Sequence, residues 1–323
     1  MSLPAPPELP ALLHLGDAGH GVDRYARTIA RAVGSTPQRL ADDAPPPRAH
    51  AHFTDRLWGA DAATAAARFE ALAEGREITV TLHDVPQASD GPTRRPRRVD
   101  AYRRVVEASS GVVCNSEHER RLLGEALGRD VAARVIPLQV TPPAAPSPRP
   151  SPDGSVAVLG FFYPGKGHRE VVAAAAALSE RPRVVALGRA SAGHEGELAE
   201  LVDEAGRLGV DFGATGFLPD AELLERSRAA AVPVIAHRHV SASGSLTDWI
   251  AAGRRPIVVD SAYFREMAQL RPGTTTPVPL DGLAAAIEQA LRHPESTWQD
   301  ASAVTRPHLD DTARAYLDFW AAR

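Results

Sequence analysis

The stretch VAVLGFFYPGKGHREVV, Val156 to Val172, reads as a buried strand, a glycine-bearing loop and a helix. Gly160, Gly165 and Lys166 fit Gly-x-x-x-x-Gly-Lys, the start of a phosphate-binding P-loop. The next residue is Gly167, where a P-loop has Ser or Thr to ligate Mg²⁺. One reading is a P-loop NTPase without its magnesium ligand, with "PIVVD" ending at Asp260 as a weak Walker-B-like strand. The other uses the same parts differently. The strand ends at Gly160, the chain turns, and Lys166 opens a helix whose positive dipole end and ammonium face a diphosphate without a tightly held metal. The plainest reading leaves Lys166 as a surface residue at a helix start.

Outward from this stretch, short apolar runs alternate with helical patterns. Before it, strands are expected at Ala11–Leu15, Ala49–Phe53, Glu77–His83, Gly111–Asn115 and Ala133–Leu138, and helices at Gly21–Val33, Val99–Ser109 and Ser116–Leu127. Ser116 with Glu119 three residues later resembles a capping box. "TPPAAPSPRPSPDG" (Thr141–Gly154) is too rich in proline for a helix or a central strand and reads as a linker. After it, "SVAVLG", "RVVALG", "AAVPVIA" and "RPIVVD" read as strands between amphipathic helices. Strands alternating with helices imply parallel sheets with helical crossovers. The expectation is α/β with two doubly wound domains, residues 1–141 and 155–308, joined by linker 142–154. Such sheets bind ligands at the carboxyl ends of their strands, and the cleft between two of them is the default site.

The 323 residues are 44% apolar and 24% charged, ordinary for a globular protein, and long enough for about two domains. A formal charge of −4 gives no general attraction to nucleic acid. The basic run "RRPRR" (Arg94–Arg98) reads as a solvated loop, or as a local contact for an anion or a membrane surface. The wider stretch Asp84–Arg98 reads as a long, mobile lid. Cys114 is the single cysteine and reads as a small buried residue, so no internal disulfide forms. No CxxC spacing marks a metal site. No apolar run approaches the length of a membrane span, and the N-terminus lacks the basic region of a signal peptide. A cytoplasmic protein is expected, with contact at the inner membrane face left open.

The chain resembles the retaining GT-B glycosyltransferases of family 4 (glycosyl transferases group 1). The resemblance runs over most of the chain in the family's order. It rests on "GDAGHGVDRYARTIARAV", "AHAHFTD", "TLHD" and "VVCNSEHERRLL", then on "LGFFYPGKG", "GATGFLPDAELLERSRAA" and "LTDWIAAGRRPIVV". It implies two Rossmann-like domains around an interdomain cleft, with helix 309–323 crossing back onto the first. Lys166 and Gly160 match the loop that contacts the donor diphosphate, and Gly19 and Gly21 the first-domain loop that closes over the phosphates. His83 in "TLHD" matches a histidine beside the donor sugar, placing His83 and Lys166 as the catalytic pair. Asp248 matches the carboxylate that accepts the ribose hydroxyls. Gly244 and Ser245 precede the helix that begins at Leu246, where backbone N–H groups and the hydroxyl are expected to hold the phosphates, and Phe217 with Leu218 match the loop that reads the nucleobase.

Three positions depart from the family. Phe161 and Phe162 stand where an arginine is usual, Val240 where the first glutamate of an acidic pair falls, and "IPLQV" where "IPNG" is common. Arg238, just before "SASGS", is a candidate to supply the missing positive charge. The implied activity is transfer of a sugar from a UDP- or GDP-linked donor to a hydroxyl of a cell-envelope glycan, lipid or metabolite. The nucleotide sugar is a substrate, and no cofactor or metal is required. The departures keep open a partner protein that binds nucleotide or glycan without turnover.

Overall fold

The structure is a computed structural model that describes residues 9–17, 19–40, 46–143 and 149–323. Residues 1–8 of the N-terminal stretch and 144–148 of the proline-rich linker lie outside the described residues. The chain divides into two compact units, Met1–Gln139 with Pro307–Arg323, and Val140–Arg306.

In the first unit the chain runs β1 (Ala11–His14), α1 (Gly21–Ala32), β2 (Gln38–Arg39), β3 (Arg48–Phe53), α2 (Asp55–Trp58), α3 (Ala62–Ala73) and β4 (Glu77–Leu82). It continues through α4 (Gly91–Ala108), β5 (Gly111–Cys114), α5 (Glu117–Leu127) and β6 (Ala133–Val135). The strands form a parallel sheet in the order β2-β1-β3-β4-β5-β6, so the connection reverses direction between β1 and β3. Strand periodicity sorts β3 and β4 into two faces. Ala49, Ala51, Phe53, Ile78, Val80 and Leu82 face the core under α3 and α4. The opposite face of the same strands carries His50, His52, Thr79 and Thr81, all buried.

The second unit runs β7 (Val156–Leu159), α6 (His168–Ala176), β8 (Val184–Leu187), α7 (Glu195–Arg207), β9 (Phe212–Ala214) and α8 (Asp220–Ala229). Then come β10 (Val232–Ile235), α9 (Gly244–Ala251), β11 (Ile257–Val259), α10 (Ala262–Leu270), β12 (Thr276–Val278) and α11 (Leu283–Arg292). Its parallel sheet is ordered β12-β11-β10-β7-β8-β9, with the reversal between β7 and β10. Both faces are apolar, as continuous runs such as Val156–Leu159 require: Val156 and Val158 pack on one side, Ala157 and Leu159 on the other. Past Arg306 the chain returns to the first unit as α12 (Leu309–Ala321), where Tyr316, Phe319 and Trp320 pack with Leu12, Ile29, Val113 and Ile136.

Two expectations are corrected. The stretch Asp84–Arg98 is not a mobile loop, because α4 starts at Gly91 and contains the whole basic run. Pro92 falls in the first turn, where a missing N–H costs nothing, and Pro96 forfeits one bond in the second. Arg98 is 1% exposed and pairs with the carboxylates of Asp55, Asp84 and Asp90 at 3.2, 3.0 and 2.6 Å, so three acidic residues compensate its burial. Secondly, Lys166 does not open its helix: Gly167, at φ +96°, caps α6, which starts at His168. Among the described residues no helix is long and apolar enough to cross a membrane.

Candidate functional site

At the carboxyl edge of the second sheet, β7 and β10 lie side by side, and α6 and α9 start from their ends. A parallel sheet binds ligands at this reversal point, where helix N-termini present free N–H groups. Gly160 leaves β7 at φ +106°, and a Cβ there would lie 3.2 Å from Lys166 Nζ. At Gly167 a Cβ would meet the Ala236 carbonyl at 2.2 Å. Both positions therefore demand glycine, and the lysine is folded inward over one of them.

Lys166 is 7% exposed and donates to Ser245 Oγ at 2.9 Å, in the first turn of α9. Ser243 caps that helix by accepting from Leu246 N at 3.3 Å, and its own N–H donates to Tyr263 OH at 3.0 Å. Burial pushes the ammonium down to about 8, and the negative charge of Asp248 opposes the fall. The ammonium thus has one neutral hydroxyl partner and an incomplete share of counter-charge, which is what an anion would supply. Two buried histidines feel the lysine's charge. His168 packs against Phe162 with ring centroids 5.0 Å apart, and among the described residues neither of its nitrogens has a hydrogen-bond partner. His237 Nε2 is unpartnered too.

The structure thus brings Gly160, Lys166, Gly244, Ser245 and Asp248 to one edge. Leu246 is fully buried, and its N–H already bonds Ser243. Arg238 ion-pairs with Glu170 at 3.0 Å, with its side chain 61% exposed. Phe217 is 73% exposed in the loop after β9, while Leu218 packs against the core. Val240 is buried, and Asp260 pairs with Arg265 at 3.1 Å. Beside the exposed Phe161, the guanidinium of Arg189 stands 5.5 Å from the ring.

In the first unit Gly19 N donates to Asp17 Oδ1 at 3.0 Å, and Gly21 begins α1. His20 between them caps the helix, its Nδ1 accepting from Val22 N at 3.2 Å. The buried Asp23 accepts from Leu15 N and Gly16 N at 2.7 and 3.0 Å, tying the loop to α1. His83 follows β4. Its carbonyl accepts from Tyr102 OH at 2.5 Å, and Arg98 binds the carbonyl of Asp84, a non-glycine residue held at φ +53°. Both ring nitrogens of His83 are engaged, Nε2 with His52 Nδ1 at 3.1 Å and Nδ1 with Asn115 Nδ2 at 3.3 Å.

Beneath α12 a second polar chain fills the same sheet face. Trp320 Nε1 donates to His50 Nδ1 at 3.4 Å, His50 Nε2 meets Thr81 Oγ1 at 2.9 Å, and Thr81 meets Tyr316 OH at 2.8 Å. Burial pushes His50 and His83 down to about 3 and His52 well below its usual range, so all three rings are neutral at neutral pH. Sequence reasoning passed over His20, His50, His52, Asn115 and Ser243. The signal for two of them lay in "AHAHF", where alternation puts both histidines on one face.

No protein-family model matches the sequence, and no curated protein matches it either. Solved structures do share the fold. Alr3699/HepE from Anabaena, in complex with UDP-glucose, superposes with a TM-score of 0.75 at 16% identity, over 98% of this chain and 100% of that one. Sucrose-phosphate synthase from Thermosynechococcus elongatus gives 0.62 at 18% identity, covering 85% of this chain and 70% of that one. A UDP-forming α,α-trehalose-phosphate synthase from Burkholderia xenovorans, in complex with glucose-6-phosphate, gives 0.63 at 14%, covering 84% and 72%. With two parallel six-stranded sheets among its described residues and these neighbours, the chain has the GT-B fold of glycosyltransferases.

Proposed function

We propose that the chain is a glycosyltransferase that moves a sugar from a UDP- or GDP-linked donor to a hydroxyl of a glycan, lipid or small-molecule acceptor. Transfer proceeds with retention and without a required metal, on the cytoplasmic side of the cell envelope. The observation that carries this reading is Lys166: a buried ammonium with a serine partner, at the reversal point of the sheet, between the starts of two helices. Departure of a nucleoside diphosphate builds negative charge on the phosphate oxygens. A preorganised cation and free helix N–H groups stabilise that charge more than they stabilise the bound donor. The neighbours support the donor class, since HepE is described with UDP and with UDP-glucose, and the trehalose-phosphate synthase as UDP-forming.

Thermal unfolding with a panel of nucleoside diphosphates, with and without EDTA, tests the reading. A ligand at a hundred times its dissociation constant adds about 2.7 kcal/mol of stability. The expected result is an EDTA-insensitive shift with one base, absent in Lys166→Ala, together with slow release of nucleotide from the matching donor. Lys166→Ala is expected to lower that turnover by about 100- to 1000-fold, the worth of one transition-state anion donor. A shift only with ATP and Mg²⁺ returns the P-loop reading. The buried Val240 in place of a sugar-contacting carboxylate favours a second reading, binding without catalysis. Its signature is the same diphosphate shift with no turnover.

A further inference from the structure

Asn115, His83 and His52 form a chain of buried side chains whose proton positions can be assigned from their partners. Asn115 is 2% exposed, and its Nδ2 lies 3.2 Å from the Leu82 carbonyl, which can only accept. That contact fixes the amide, so Nδ2 also donates its second hydrogen to His83 Nδ1, 3.3 Å away. Asn115 Oδ1 is left buried without a partner among the described residues, and the amide keeps this orientation at that cost. His83 accepts at Nδ1, so its proton sits on Nε2 and is donated to His52 Nδ1. His52 therefore carries its own proton on Nε2. Among the described residues that nitrogen has no hydrogen-bond partner; the His52 side chain also lines, with His14, Val22, Asp23 and Trp58, a cavity of about 10 Å³, room for one water-sized oxygen.

We propose that the three side chains act as one directed donor unit: Asn115 is the positioning residue that sets both tautomers, and the N–H offered to a bound oxygen is that of His52. His83 transmits the polarisation and has no nitrogen left to offer. That the oxygen belongs to a sugar or an acceptor hydroxyl rests on the glycosyltransferase reading; the direction of the chain does not. Neutral rings suit this task, because each can accept on one nitrogen while donating on the other, which an imidazolium cannot do.

Long-range ¹⁵N–¹H NMR of histidine-labelled protein at pH 7 reads the tautomers directly, with His52→Gln and His83→Gln assigning the signals. The expected result is Nε2–H on both rings. In Asn115→Asp the carboxylate accepts instead of donating, so His83 is expected to become protonated at Nδ1, while His50, set by Trp320, stays unchanged. A wild-type His83 protonated at Nδ1 overturns the proposal, even if Asn115→Asp fails to fold. An unchanged His83 in folded Asn115→Asp overturns it as well. For the ligand end, His52→Ala is expected to lower donor turnover about tenfold or more, the worth of one hydrogen bond, and His52→Gln to restore part of it through its amide N–H. Equal losses in both variants overturn the role of the His52 N–H. Wild type with no turnover on any donor sinks the glycosyltransferase reading while the NMR result still decides the tautomers.

Discussion

At the carboxyl edge of the first sheet the buried polar groups on the histidine face are neutral rings and hydroxyls, and His50, His52 and His83 each have a partner. At the same edge of the second sheet they are an ammonium with one hydroxyl partner and two histidines with unpartnered nitrogens. Both edges sit at the reversal point of a parallel sheet. The difference is one of completeness. In the first unit the protein supplies most of the hydrogen bonds itself, so the rings are rigid and their protons are placed. In the second, the counter-charge is left for something else to bring.

Acid offers the largest test of this contrast. His50, His83 and His168 are all depressed to about 3 from an ordinary value of 6.5. The unfolded chain therefore takes up protons that the native chain refuses. The stability from these rings is complete above pH 6.5 and is lost as pH falls from there toward 3. At pH 5 the loss is about 2 kcal/mol for each ring. Urea unfolding across pH 7 to 4.5 should show this slope, and a flat profile would remove the claim that the rings are buried and neutral. His50→Phe comes next in size. It removes the acceptor for Trp320 Nε1 and the partner of Thr79 and Thr81, and should cost about 2 kcal/mol at pH 7 while flattening part of the acid slope. The smallest effect belongs to His168→Phe. No hydrogen bond is lost there, so stability at pH 7 should stay within about 1 kcal/mol of wild type or rise, with the same relief in acid. A cost for His168→Phe as large as that for His50→Phe would erase the distinction between the two edges.

Much of this was legible in the sequence, for reasons that differ from place to place. The alternation of β7 and α6 is local: an apolar run, two glycines and a helical pattern decide it without help from elsewhere. Helix α3 was legible too but went unread. Asp61 caps it by accepting from Thr64 N at 2.8 Å, and the alanine run behind it is a strong helix former. Strand β12 hid behind Pro277, which is tolerated because the strand is the edge of its sheet. Arg98 was out of reach. A basic run reads as solvated when its partners are unknown; one of them is Asp55, 43 positions earlier on α2, and the other two, Asp84 and Asp90, lie in the turn before α4 with nothing local to show that they fold back onto Arg98. The histidine face of β3 was half legible. The alternation shows that His50 and His52 share a face, but an open strand of that pattern would point it at water. What buries it is α12, more than 200 residues later.

That distance has a consequence for synthesis. Thr81 and Tyr316 are separated by 235 positions, and all of the second unit lies between them. During translation at roughly 5–20 residues per second, the second unit is complete before α12 exists. The first unit, although begun first, waits through that interval with its histidine face uncovered. The chain therefore matures in the reverse of its written order, and the interval in which the first sheet is exposed is set by the length of its neighbour.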